Sequence, residues 1–224
     1  MWITLLLFFI FVGCIAALYT EGMWGNGIRL INVVTAGLLA TNFFEPAADW
    51  LEGLSTNMAT YTYLWDFLAF WGLFGLFMIV FRLLTDRLSR VKVRFMKIVD
   101  RIGAVVFSAW IGWVMVCLAA TSLHLAPLAR EFLFDSFHPE QRIQGSYCPE
   151  LKWLGFMQKQ SRGAFCRTPG EEDFRVEPAW KEDRTRTFDP RSEFMPKYAT
   201  RRANLQAYNQ EHKAVRVRPE HLPR

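Results

Sequence analysis

Two apolar runs, residues 64–84 and 102–123, flank the basic stretch RLLTDRLSRVKVRFMKIVDR, Arg82 to Arg101, and this junction constrains the chain more than any other segment. A helix needs roughly 20 apolar residues to cross a bilayer, so nearly uncharged runs of that length are membrane spans in preference to soluble core helices. Seven of the eight Lys and Arg residues before Leu125 fall inside the stretch. Short loops rich in Lys and Arg stay on the cytoplasmic side of a membrane. The connection carrying Arg87, Arg90, Lys92, Arg94 and Lys97 is therefore expected to be cytoplasmic, and it sets the orientation of the other segments.

Two earlier apolar runs complete the pattern, giving expected spans over 2–19, 28–44, 64–84 and 102–123 and a four-helix transmembrane domain over residues 1–124. The first has no Lys or Arg ahead of it, which argues against a cleaved secretory signal. TEGMWGNG, residues 20–27, predicts a turn because three glycines and an asparagine disfavour a helix. Pro46 predicts the end of the second helix. The loop over 45–63 carries Glu45, Asp49 and Glu52 but no base. It belongs outside, and alternation then places the N-terminus and the long tail outside as well.

Polar and small residues within the spans carry further expectations. Arg29, at the entry of the second span, is expected to snorkel to the boundary. Asp66, near the outer end of the third, has two readings: an intramembrane proton or ion site, or a structural acid within reach of water. Gly37, and the four-residue repeat Ala104, Ser108 and Gly112, are expected to let helices pack closely. The basic stretch also has two readings. One is an interfacial amphipathic helix with Arg87, Arg90, Arg94 and Lys97 on one side, touching anionic lipid; the other is a topology determinant alone.

Beyond residue 124 the character of the chain changes, for 18 of the 26 Lys and Arg residues and 14 of the 21 Asp and Glu residues lie there. Residues 125–168 are expected to form a short extramembrane segment with small helices near 130–137 and 151–160. In an oxidising compartment Cys148 and Cys166 are a candidate disulfide, whereas Cys14 and Cys117 read as packed apolar residues. Residues 169–224 are charged and punctuated by proline, which predicts an extended or disordered tail. Its aromatics, among them Phe174, Trp180, Phe188, Phe194 and Tyr198, either anchor a partner or decorate a linker. The fold class predicted is an all-α membrane protein with four transmembrane helices and an irregular, partly extended C-terminal tail.

No nucleophile elbow, phosphate loop, zinc-ligand spacing or dinucleotide fingerprint occurs, and the four histidines are scattered. Neither catalysis nor a cofactor or metal is expected. The net charge of +5 arises from bases interleaved with acids, so nucleic-acid binding is not expected either. The expected partners are membrane lipids, proteins reached through the tail, and further copies of the chain.

Three places carry a family resemblance. Gly22, Gly27 and Arg29 followed by Gly37 and Ala40 look like a glycine-glycine-arginine turn running into a second helix. Phe43, Phe44, Glu45 and Pro46, with Ala47 and Leu51, look like an aromatic-proline segment. Asp100 and Arg101, then Gly103, Ser108 and Gly112, resemble an Asp-Arg helix start with a small-residue repeat. Together they are similar to the colicin V production (CvpA) family of bacterial inner-membrane proteins over residues 1–137, with Ser108 where that family often has glycine. The resemblance implies a multi-pass inner-membrane protein acting in export or envelope maintenance. Similar modules occur as anchors of periplasmic serine proteases, which implies a periplasmic tail, although this tail has no protease motif. Two other readings stand beside it: a membrane anchor or assembly subunit whose tail binds a partner complex, and a small transporter using Asp66 or Arg29.

Overall fold

The computed structural model describes residues 2–53, 62–88, 96–126, 148–161, 165, 188–189 and 192–211. Among them are six helices and no strand: α1 (Trp2–Leu18), α2 (Met23–Gly53), α3 (Thr62–Leu88), α4 (Lys97–Leu125), α5 (Pro149–Ser161) and α6 (Phe194–Glu211). Three of these, Met23–Gly53, Leu64–Leu88 and Lys97–Leu125, are long and apolar enough to cross a membrane, and Trp2–Leu18 is a shorter apolar helix.

The four apolar helices lie side by side in the order α1, α4, α2, α3. Helix α1 runs antiparallel to α4, with Ile3 and Leu7 clustered on Val116 and Ala120. Gly112 makes this approach possible, because a Cβ there would lie 3.2 Å from the Phe11 carbonyl oxygen and 3.1 Å from its ring. Ser108 and Ala104, one and two turns earlier, are buried on the same helix. Helix α3 runs antiparallel to α2, with Asn32 Nδ2 donating to Thr85 Oγ1 at 3.2 Å near one end and the Phe44 and Phe70 rings 6.2 Å apart near the other. Outward faces are apolar instead of polar. Leu68, Leu76, Ile79 and Leu83 on α3, and Ile102, Val106 and Trp110 on α4, are exposed. An exposed apolar belt around a bundle is what lipid contact requires and water penalises.

Helix α2 departs from expectation at both ends. It begins at Met23, inside the segment read as a turn, because a distant carboxylate caps it: the Met23 N–H donates to Asp100 Oδ1 at 2.8 Å. An acid at a helix N-terminus satisfies an orphan donor and opposes the positive end of the helix dipole. Asn26 closes the same junction, donating through Nδ2 to the Leu18 carbonyl at 2.8 Å and to the Ala104 carbonyl at 3.2 Å. Gly22, in the turn between α1 and α2, has φ of +84°, and a Cβ there would meet Asp100 Oδ2 at 3.3 Å. At the other end the helix continues through Pro46 to Gly53. Proline inside a helix costs about 3 kcal/mol. Phe44 and Ala48, on either side of Pro46, are wholly buried, and their packing outweighs that loss.

The basic stretch is not one helix. Arg87 lies in the last turn of α3 and Lys97 opens α4, separated by the non-helical Met96 (φ −56°, ψ 137°). The single amphipathic face expected of Arg87, Arg90, Arg94 and Lys97 is thereby excluded for these two; Arg90, Lys92 and Arg94 lie outside the described residues, as does the expected helix near 130–137.

Candidate functional site

Most polar side chains that the helices bury are gathered at the end of the bundle where α1 and α3 begin and α4 stops. Asp66, in the second turn of α3, is 7% exposed. Its carboxylate receives Arg201 Nη1 of α6 in a buried ion pair, and Tyr198 Oη donates to the same Oδ2 at 3.4 Å. The Arg201 guanidinium lies over the Tyr198 ring, 5.0 Å from its centroid. Lys197, one residue before Tyr198, reaches Glu45 Oε1 of α2 at 2.8 Å. Arg202 caps α4: its Nη2 donates to the His124 carbonyl at 2.5 Å and the Leu123 carbonyl at 3.5 Å. The last carbonyls of a helix lack internal partners and carry its negative dipole end, so a cation is favoured there.

Burial acts on the groups of α6 that make these contacts. It lowers the Arg202 guanidinium to about 10, which leaves it charged at neutral pH. It raises the Tyr198 phenol well above its usual value, with the nearby Asp66 and Glu45 carboxylates adding to the rise.

Local sequence explains how α6 comes to lie here. Asp189 accepts from the Glu193 N–H at 2.7 Å and the Phe194 N–H at 3.2 Å, capping the helix start. Gln158 Nε2 of α5 holds the Asp189 carbonyl at 2.8 Å, and the Phe188 N–H donates to Ser161 Oγ at 3.0 Å. Apolar anchorage comes from Phe194, whose ring is 6.3 Å from Phe44, 5.9 Å from Phe188 and 4.8 Å from Tyr198. Over Phe194–Glu211 the tail is thus helical, not extended, and residues Phe194 to Arg202 dock it on the bundle. Charge and proline obscured this, while the signal that shows it is a set of bases and aromatics at helical spacing, Phe194, Lys197, Tyr198 and Arg201.

Helix α5 occupies the groove between α2 and α4. Glu150, Trp153, Leu154, Met157 and Ser161 make its buried stripe at the 3–4 spacing of an amphipathic helix. Trp153 Nε1 donates to Thr41 Oγ1 at 3.0 Å, and that hydroxyl donates to the Gly37 carbonyl at 2.7 Å. Gly37 faces this indole, since a Cβ there would lie 2.9 Å from its ring. The close neighbour of Gly37 is therefore α5 as well as the spanning helix α4, which offers Leu118 at 3.2 Å.

Arg29 and Asp66 do not form one site. Arg29 pairs with Glu21 at 3.4 Å, and the rise of a helix puts about 24 Å between Arg29 and Glu45, beside the Asp66 cluster. Among the described residues no disulfide is formed, so the expected Cys148–Cys166 bond is not supported; Cys166 lies outside them. No cluster of three or more metal-ligating side chains occurs among the described residues.

A bundle of long apolar helices with an exposed apolar belt defines a multi-pass membrane protein. The model of the family described as colicin V production protein matches residues 3–146, more than half of the chain, and the chain belongs to that family. The match includes Glu45, Asp66 and the end of α4, and it stops before α5 and α6. No curated protein and no solved structure matches the chain.

Proposed function

We propose that this chain is a four-span bacterial inner-membrane protein with a non-catalytic role in export or envelope maintenance, of the kind the name of its family, colicin V production, describes. Membership in that family is the observation that carries the reading. Helix α1 serves as the fourth span: it has 17 residues, about 25 Å at the rise of a helix, and it packs on α4 from Ile3 to Cys14. With Arg87 and Lys97 at one end of the bundle and Glu45 and Asp66 at the other, the charge rule puts the basic end in the cytoplasm and α6 in the periplasm. Lipids cover the apolar belt.

Labelling and a deletion test this. In a chain whose native cysteines are replaced by serine, a membrane-impermeant thiol reagent should label Ala203→Cys in cells with a permeabilised outer membrane. Ser89→Cys should react only once the inner membrane is opened, and the reverse pattern overturns the orientation. Deleting the gene should raise leakage of a periplasmic enzyme or lower the yield of an exported peptide toxin. Unchanged values of both would remove the functional reading.

A further inference from the structure

Charged groups at the two ends of the bundle give a depth scale. Gly37 lies eight residues from both Arg29 and Glu45, about 12 Å each way along α2, and Trp113 lies 13 residues after Asp100 and 11 before His124, about 20 and 16 Å along α4. Both stand near mid-depth, and both touch the beginning of α5. The Trp153 indole packs where a Gly37 Cβ would be 2.9 Å from it, and Lys152 Nζ lies 5.3 Å from the centroid of the Trp113 ring. The other end of α5 lies at the face that carries α6: Asn42 Nδ2 donates to the Phe165 carbonyl at 3.1 Å, while Ser161 and Gln158 hold Phe188 and Asp189 ahead of α6. From these positions we infer that α5 is a re-entrant half-helix crossing only the α6-side half of the bilayer, and that its lysine-bearing face lines a water-filled vestibule admitting small anions to mid-membrane.

Length agrees with half a crossing. Helix α5 has 13 residues, about 20 Å, which suits one leaflet of about 15 Å but not a full span. This places it within the bilayer, where the sequence suggested an extramembrane segment. Non-helical backbone at such depth is tolerated when protein surrounds it, and Cys148, which precedes the helix with φ of +34°, is buried.

The outward face of α5 supplies the chemistry. Lys152, Gly155, Phe156 and Lys159 are exposed, and the two lysines, seven positions apart, share one side. A charged side chain at mid-depth faces the bundle interior or a water-filled cavity, because lipid tails cannot solvate it. Exposure of Lys152 at that depth therefore calls for water. Both charges that α5 exposes are positive, while Glu150, its one acid, is fully buried, so the vestibule draws anions over cations. The family match ends before α5, so membership does not supply this feature. The inference rests on the membrane-spanning reading of the bundle, not on its orientation or on the process it serves.

The test uses the full chain with its native cysteines replaced by serine, in native membranes. A side chain at Gly155 meets nothing within 4 Å, so Gly155→Cys is accommodated. It should react with membrane-impermeant thiol reagents from the same side as Ala203→Cys, about tenfold or more faster than Leu76→Cys on the exposed apolar face of α3. Reaction as slow as that of Leu76→Cys overturns the vestibule. A negatively charged methanethiosulfonate should outpace a positively charged one at Gly155→Cys by about threefold or more, and Lys152→Gln should abolish the preference. Equal rates for the two reagents overturn the assignment to anions. Depth is read separately: Trp113→Cys and Lys152→Cys should form a disulfide on mild oxidation, seen as a gel shift that reduction reverses, and its absence, with α5 lying on the membrane surface, overturns the half-helix. Reaction of both Ala203→Cys and Gly155→Cys from the cytoplasm alone supports the inference and fails only the orientation proposed above.

Discussion

Asp66 and Arg201 form a buried ion pair across 135 positions of sequence, joining the start of α3 to the middle of the C-terminal helix. Removing one partner of such a pair strands the other, which typically costs about 3–5 kcal/mol, whereas exchanging both for apolar residues of similar size is often neutral. Arg201→Ala should therefore release α6 and lower the thermal midpoint in detergent. Asp66→Leu combined with Arg201→Met should recover most of the loss. A double variant as unstable as the single one contradicts the pairing.

Lys197 and Glu45 offer the contrast. Their side chains are 42% and 29% exposed, and solvent-exposed pairs contribute about 0–1 kcal/mol. Lys197→Ala should leave the thermal midpoint nearly unchanged, and a loss comparable with that of Arg201→Ala would show that α6 is held differently.

Tyr198 gives the docked helix a dependence on alkaline pH. Its folded phenol ionises above the ordinary value of 10.0, chiefly because it is buried. The unfolded phenol loses its proton first, so the contribution of Tyr198 to stability is constant below about pH 10 and falls as the pH rises beyond it. Chemical unfolding at pH 8 and pH 11 should show a larger decline for the unaltered chain than for Tyr198→Phe. Equal declines would remove Tyr198 as the source.

Glycine substitutions read the helix contacts directly. Gly112→Val places branched carbons against the Phe11 backbone and should cost about 1–3 kcal/mol, the usual range for overpacking. Gly13→Ala meets nothing within 4 Å and should be neutral or slightly stabilising. Thermal midpoints of the two variants, measured in one detergent, decide this, and equal effects would place α1 elsewhere.

Gly37→Ala should displace the Trp153 indole, with the Trp153–Thr41 hydrogen bond lost along with it, at about 1–3 kcal/mol. The smaller Trp153→Leu side chain in the same protein should remove the clash, so that Gly37→Ala costs little in that background. Persistence of the full loss there would mean that Leu118, not Trp153, limits the space.

What the sequence made legible follows from what each interaction needs. Long apolar runs identify α2, α3 and α4 without any partner, since lipid alone satisfies them. The start of α2 was hidden because its cap, Asp100, comes from another helix, and its continuation past Pro46 was hidden because Phe44 and Ala48 act through tertiary packing. Asp66 stood out as an acid within a span, but its partner lay in a segment whose charge and prolines suggest an extended chain. The bases of that segment gain meaning only when a fold sets Glu45, Asp66 and the end of α4 side by side.

The cap on α2 also bears on the order of assembly. Asp100 is synthesised 77 residues after Met23, so the carboxylate that caps α2 is made after α1 and α2 themselves. Until α4 follows, the first turn of α2 has no acceptor from that direction, and the tight approach at Gly22 has nothing to approach. The first turn of α2 is thus completed only by a helix made two segments later, the one that emerges from the basic connection.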